Sequence, residues 1–363
     1  MLYRPYGTTG KQISIISAGG MRYPKPQDID AMAQIPLEAA RLKINYFDTA
    51  PYYCEDKSET ILGVALKEIE KEGHEHYIST KSNANSYDDM MRHIEKSMMI
   101  MDVDHIHFMH CWCILSLDIF EKRKKLGAIK ALQKAKEEGV ISHVVFSSHM
   151  SGEDIAVVTD SGLFEGVTLG FCAINFPFRM EGIKAAYRNN MGVITMNPLG
   201  GGQIMDHADR FCFIKTSREQ SVLEAALHFN LAHKEVTSAL VGFSSVEDVR
   251  SAVKAIDSFK PITEEEIDSI KDKIEDGFNQ LCTTCNYCKD CPEEIPVPKL
   301  MEAFNYYILY NDTDKVFERL KWHWNVQDLS VLEKCSECRL CEESCTQKLP
   351  ILERFEKLKA LKR

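Results

Sequence analysis

The chain has 363 residues, more than one small domain needs and enough for a barrel of about 250 residues plus a smaller unit. Carboxylates outnumber Lys and Arg by 54 to 44, a net charge of −10, and no basic stripe interrupts that balance, so binding to nucleic acid is not expected. No apolar stretch approaches the length of a membrane span, and Met1-Leu2-Tyr3-Arg4-Pro5 lacks the regions of a signal peptide, so a soluble, cytoplasmic chain that does not engage membranes is expected.

Residues 3–16 read as a hairpin turning at Thr8-Thr9-Gly10-Lys11, placed to plug the bottom of a barrel. Strands are expected at 13–19, 44–50, 77–81, 105–111, 143–149, 166–175, 192–199 and 237–243, each apolar, β-branched or aromatic as buried parallel strands are. Amphipathic helices fall between them. Ser58 to Glu70 places Ile61, Leu62, Ala65, Leu66 and Ile69 on one face. Ser217 with Gln220, and Ser245 with Asp248, read as capping boxes that open two later helices. Thr263 with Glu266 opens one more, expected to run to about Phe278.

Eight β–α pairs in a row favour a closed barrel, and no Gly-x-Gly-x-x-Gly follows the first strand to suggest an open dinucleotide-binding sheet. The fold class is α/β: a (β/α)₈ TIM barrel over 1–262, followed over 263–363 by a mainly α, ferredoxin-like iron–sulfur domain with no flexible tether between them.

The C-terminal assignment rests on cysteine. Of thirteen cysteines, eight lie in two short runs: Cys282, Cys285, Cys288 and Cys291, then Cys335, Cys338, Cys341 and Cys345. A 4Fe–4S cube needs four converging thiolates, and two-residue gaps let a looping backbone aim three of them inward while a distant cysteine supplies the fourth. A structural Cys₄ zinc site is the alternative, although zinc usually takes two pairs separated by a long spacer. The runs resemble those of bacterial two-cluster ferredoxins. That resemblance implies one cluster on Cys282, Cys285, Cys288 and Cys345, and another on Cys335, Cys338, Cys341 and Cys291. Two residues rather than three precede Cys291, and Thr346 stands where the pattern has proline.

Asp48 and Tyr53 end the second barrel strand, Lys81 ends the third and His110 nearly ends the fourth. Barrel enzymes keep their chemistry at this face. The residue types suit carbonyl reduction. A hydride leaves an alkoxide that a phenol can protonate. An ammonium held by a carboxylate is expected to lower the phenol pKa, and a neutral imidazole can orient the carbonyl. Asp-x₄-Tyr, then Lys, then His at successive strand ends resembles the aldo-keto reductase family over about residues 1–260, and with the cysteine tail its ferredoxin-domain branch. The resemblance implies Tyr53 as proton donor, Asp48 and Lys81 as its tuners, and His110 as carbonyl-orienting group.

The same resemblance implies a nicotinamide cofactor, NADP(H) or NAD(H), held by Ser147, Ser148, Asn175, Pro198, Leu199, Gly200, Gly242, Ser244 and Arg250. Departures cluster here. Phe171 stands for the usual glutamine, Met196 for the aromatic residue stacked on nicotinamide, and Cys54 for glycine. Gly242 and Asp248 stand where a 2′-phosphate pocket presents Lys and Arg, with Arg250 close enough in sequence to compensate. Gly200-Gly201-Gly202 suits close approach to a phosphate. Cys54, Cys111, Cys113 and Cys172 read as buried apolar thiols near the catalytic face. The expected activity is therefore carbonyl reduction, or alcohol oxidation, on a small molecule, with ferredoxin or another electron carrier as a partner of the clusters. The rivals are an iron–sulfur-dependent reductase without nicotinamide and a redox-sensing module.

Overall fold

The structure is a computed structural model and describes residues 1–275 and 280–361. Strands β1 (Tyr3–Pro5) and β2 (Gln12–Ser14) pair antiparallel, Tyr3 opposite Ser14, and form the expected hairpin. Eight parallel strands follow: β3 (Ile16–Gly19), β4 (Tyr46–Asp48), β5 (Tyr77–Ser82), β6 (Ile106–Ile114), β7 (Ile141–Ser148), β8 (Gly166–Gly170), β9 (Gly192–Met196) and β10 (Ser238–Gly242). They pair in chain order, and β10 pairs with β3 to close the barrel. Closure removes both sheet edges, so no row of backbone donors is left unpaired.

The hairpin delivers Tyr6 into the barrel floor. Its buried ring lies 4.7 Å from that of Phe108 and 6.4 Å from that of Tyr46, among Ile13, Tyr77, Val145, Ile194 and Leu240. Gly166 and Gly192, the first residues of β8 and β9, make room for it: a Cβ at either would lie 2.1 Å from the Tyr6 side chain. Burial pushes the Tyr6 phenol well up, with Glu165 and Asp48 adding to the shift.

Strand ends differ from the expected ones where side chains capture the backbone. The first expected strand splits, because Ser14 Oγ donates to Ile16 O and Ser14 N donates to Asn45 Oδ1. The strand expected over 166–175 stops at Gly170, because Asn175 Oδ1 accepts Cys172 N and turns the chain. The strand expected over 192–199 stops at Met196, where Asn197 takes φ 57° and Pro198 brings no N–H. Helix Ser58–Lys71 buries the expected face. Ser245 and Asp248 form the expected box, and Thr263 and Glu266 exchange hydrogen bonds in the same way. The other box is corrected. Gln220 N does donate to Ser217 Oγ, but the helix starts at Val222, capped by the reciprocal pair Ser221 and Glu224. Helix Glu264–Glu275 carries the chain to the limit of the described segment, and Phe278 lies outside the described residues.

The chain divides into two compact units, Met1–Leu199 with Ile214–Ile267, and Gly200–Phe213 with Asp268–Arg363. The described residues of the second unit are helix and turn. Helices Val297–Tyr310, Thr313–Glu318 and Ile351–Ala360 surround a core of Leu300, Met301, Phe304, Val316, Leu320, Leu332 and Phe355, with Cys282 and Cys345 in it. Among the described residues no helix is long and apolar enough to cross a membrane.

Tyr6 should tolerate no side chain beneath it. Gly192→Ala is expected to destabilise the barrel by about 1–3 kcal/mol through overpacking. Urea unfolding followed by circular dichroism measures this, and an unchanged midpoint would show that the floor relaxes freely.

Candidate active site and cysteine centres

Strand register brings the four expected catalytic residues together. Asp48 of β4 lies opposite Ser79 of β5, and Lys81 of β5 lies opposite His110 of β6. Lys81 is 2% exposed; its Nζ donates to Asp48 Oδ2 at 2.5 Å and to Thr49 O at 2.7 Å. Ser79 Oγ donates to Asp48 Oδ1 at 2.9 Å and lies 3.0 Å from His110 Nε2. A serine has one proton to give. Nε2 therefore carries the proton and donates it to Ser79. Sequence reading did not single out Ser79, although it sits two residues before Lys81 and so on the same strand face.

Tyr53 follows β4 on a loop in which Cys54, Glu55 and Asp56 take φ of 52°, 55° and 62°. Glycine suits such a position, which explains why Cys54 is an unusual choice there. Lys81 Nζ lies 5.1 Å from the centre of the Tyr53 ring, and the Tyr53 hydroxyl hydrogen-bonds to none of the described residues. Tyr52 is exposed and stacks on Trp112, 5.6 Å away, so of the two tyrosines Tyr53 is the one beside Lys81.

The electrostatics depart from expectation at Tyr53. Burial pushes its phenol well above 10, and Asp48, Cys113 and Cys54 push further in the same direction. The expected lowering by Lys81 does not prevail, because that ammonium is already matched by Asp48. Burial lowers Lys81 itself, against the pull of Asp48 and Glu59. Burial, with Lys81 next to it, holds His110 well below 6.5, so the imidazole is neutral.

Two buried arginines staple the loops above this layer. Arg123 donates to Trp112 O, Asn83 O and Asn85 Oδ1 after β5 and within β6. Arg179 donates to His149 O, Met150 O and Gly170 O after β7 and at the end of β8. Neither was visible in sequence, where a helical arginine reads as a solvated one.

The expected cofactor residues are scattered in their roles. Ser147 Oγ accepts Cys113 N at 2.9 Å, Ser148 Oγ donates to Ile114 O, and Asn175 Oδ1 accepts from Cys172. Pro198 is buried and Leu199 half-buried. Phe171 belongs to a packed aromatic layer, its ring 5.8 Å from Phe229 and 5.0 Å from His233. Met196 packs on the barrel-floor cluster. Arg250, exposed, pairs with Glu38 at 2.8 Å and Glu247 at 3.3 Å. Asp248 Oδ2 accepts Ser244 N and Ser245 N, so a carboxylate of the chain occupies donors that an external anion would use. The basic side chain that does lie over Gly242 is Arg22, whose Cγ would be 2.8 Å from a Cβ there. Gly200 belongs to the second unit, and the backbone that approaches its neighbour Gly201 is Thr283, whose carbonyl oxygen would lie 2.2 Å from a Cβ at Gly201.

In the second unit Asn305, fully buried, pins the first cysteine. Its Oδ1 accepts Cys282 N, and its Nδ2 donates to Cys282 O and to Gln203 Oε1. The Cys282 thiol is pushed up by burial and by Cys285, Cys288 and Cys345 around it. Burial pushes Cys288 up to about 12, with Cys285, Cys345 and Cys341 of the second run adding to the shift. Cys291, Cys335, Cys338 and Cys341 line a cavity of about 90 Å³, with Cys288 also on its wall. Burial pushes Cys341 up to about 11, with Glu342 and Cys291 adding to the shift.

Among the described residues no group of three or more His, Cys, Asp or Glu side chains is assembled as a metal site, so the expected cluster ligands are not drawn together around a metal here. The two buried side-chain atoms of this unit without a partner among the described residues, Thr283 Oγ1 and Arg354 Nη1, are both donors beside the first cysteine group. A site that lacks an acceptor fits a sulfide-rich anion.

Similarity to known proteins follows the same division. The profile of the aldo/keto reductase family matches residues 16–275. L-galactose dehydrogenase of Arabidopsis thaliana is 28% identical over 288 residues, covering 70% of this chain and 87% of that protein. An uncharacterised oxidoreductase of Bacillus subtilis is 24% identical over 308 residues, covering 75% of this chain and 96% of its own. An aldo-keto reductase of Bacillus halodurans, in its holo form, shares the fold with a TM-score of 0.66 at 21% identity, over 76% of this chain and 96% of that one.

His110 is expected to stay neutral as pH falls through 6.5, since burial beside Lys81 holds its folded pKa well below that value. Unfolded histidine takes a proton near 6.5, so the stability this residue contributes is present above that pH and is lost as pH falls. Imidazole ¹⁵N shifts would report it; a titration centred near 6.5 would contradict the burial argument.

Proposed function

The chain belongs to the aldo/keto reductase family, and from that premise we propose that it reduces a small-molecule carbonyl, or oxidises the matching alcohol, with a nicotinamide cofactor, and carries two 4Fe–4S clusters in its C-terminal unit. The observation that carries the catalytic half is the layer Asp48–Lys81–Tyr53 with Ser79 and His110 behind it.

A nicotinamide supplies or accepts hydride when bound. Tyr53 protonates the alkoxide oxygen that reduction leaves. Its raised pKa keeps it protonated at neutral pH, and an alkoxide is a stronger base than a phenolate, so the transfer runs downhill. Lys81 then faces the new phenolate and stabilises it, while Asp48 keeps the lysine charged and Thr49 O fixes its direction. Neutral His110 can polarise a carbonyl only by giving up Ser79 as the acceptor of its Nε2 proton. The nicotinamide end is assigned to Ser147, Ser148 and Asn175, and the phosphates to Gly242, the Ser244 hydroxyl and Arg250, with Arg22 as a second base beside Gly242.

For the clusters, the crossed grouping of the thiols and the orphaned donors support one cube on Cys282, Cys285, Cys288 and Cys345, and one on Cys291, Cys335, Cys338 and Cys341. The second group is the more exposed, with Cys338 at the surface, which suits electron exchange with ferredoxin or a similar carrier. Anaerobically purified protein should hold about eight iron and eight sulfide per chain, as two cubes require. Stoichiometric zinc without sulfide would overturn this half alone.

Tyr53→Phe should keep fold and iron content but lose on the order of 10²–10⁴ in carbonyl turnover, with Tyr52→Phe mild as its control. A panel of aldehydes, ketones and quinones provides the assay. Near-normal turnover in Tyr53→Phe would move the chemistry to the clusters, fed without nicotinamide.

Because Asp248 occupies the Ser244 and Ser245 donors, NADH should bind at least as well as NADPH. Asp248→Ser should move preference toward NADPH on the order of tenfold, about 1.4 kcal/mol. Titration of both cofactors into both proteins decides it; a strong native preference for NADPH would place another base at the 2′-phosphate.

A further inference from the structure

Arg354 is a buried cation, 2% exposed, on helix Ile351–Ala360 in the core of the second unit. Its Nη2 donates to Gln280 O at 2.5 Å, two residues before Cys282, and its guanidinium lies 5.2 Å from the Phe304 ring. Its Nη1 is buried with no partner among the described residues. Three ionisable side chains bear on it electrostatically: Cys282, Cys345 and Glu353. Glu353 is largely exposed and already paired with Lys357 at 2.6 Å. The two thiols are therefore what remains to justify a charge whose burial alone costs several kcal/mol. Cys282 and Cys345 sit in the same core cluster, each 8% exposed.

We propose that Arg354 sets the reduction potential of the buried cluster assigned to Cys282, Cys285, Cys288 and Cys345, holding it above the value that cluster would otherwise have. This rests on the iron–sulfur reading given above. One electron from a donor takes a 4Fe–4S core from 2+ to 1+. With four thiolates the net charge goes from −2 to −3, and no bond or proton moves. A fixed guanidinium favours the −3 state over the −2 state, so its presence favours reduction. Among the described residues the cysteines of the other group have no buried counterpart: Arg339, on the wall of their cavity, and Lys359, which acts on Cys335, are both at the surface and held by Glu342 at 2.9 Å and Glu356 at 2.7 Å. Arg354 thus offsets the burial that would otherwise disfavour the more negative reduced state, and the exposed cluster is the entry point. Thr283, between Cys282 and Cys285, adds a hydroxyl with no other partner.

The test is an anaerobic redox titration of the full chain, followed by electron paramagnetic resonance, in native protein, Arg354→Gln and Arg354→Lys, with iron counted in each. Arg354→Gln should keep its iron and move one midpoint negative, on the order of a tenfold change in the reduced-to-oxidised ratio at fixed potential, or about 59 mV for one electron. The other midpoint should stay, and Arg354→Lys should restore the first. Two unmoved midpoints at full iron content, or two that move together, overturn the proposal. If Arg354→Gln loses iron, Arg354→Lys decides: a midpoint near the native one supports the charge, and a displaced one overturns it. Native protein without iron or sulfide would instead remove the cluster reading itself.

Discussion

A lysine ammonium buried in the upper layer of the barrel governs what surrounds it. Lys81 at 2% exposure cannot stay charged alone, because removing an ion from water costs several kcal/mol. Asp48 and Thr49 O answer that cost from the neighbouring strand, and Ser79 fixes the carboxylate's second oxygen. Ser79 also accepts the hydrogen bond of His110 Nε2, and burial beside Lys81 keeps that imidazole neutral. Four adjacent strand-end positions therefore form one hydrogen-bonded unit. Closure of the barrel makes it possible, since only fixed register sets Asp48 against Ser79 and Lys81 against His110.

The consequence for Tyr53 is a division of labour. A free ammonium would pull its phenol down; an ammonium matched by Asp48 does not, and burial pushes the phenol up instead. The phenol thus stays protonated, with the Lys81 ammonium held 5.1 Å from its ring. The loops that define its mouth are anchored by Arg123 and Arg179, whose guanidinium groups satisfy carbonyls at the ends of adjacent strands. Such loops carry specificity while the strands beneath stay fixed.

The second unit meets the reverse problem. Thiols packed in an apolar core resist ionisation, and beside them the Thr283 hydroxyl and Arg354 Nη1 have no partner among the described residues. The proposed cluster would answer both. Asn305 fixes the backbone at this point, because a fully buried amide spends three hydrogen bonds on the first cysteine and on Gln203.

Much of this was legible in the sequence. Apolar runs at barrel spacing, the order Asp48, Tyr53, Lys81, His110, and the two-residue gaps between cysteines are local patterns, and period and spacing express them directly. Capping was legible as well at Ser245 and Thr263, because a box closes within four residues. What only the tertiary structure decided involves partners far apart in the chain. Arg250 pairs with Glu38, 212 residues away. The glycines at 200–202 suggested a phosphate until the Thr283 carbonyl filled the space at Gly201. Phe171 seemed a defect in a cofactor site until Phe229 and His233 packed on it. A sequence states which groups are present and which are neighbours along a helix or strand; which distant charge, carbonyl or ring satisfies each of them is settled only when the barrel closes and the cores pack.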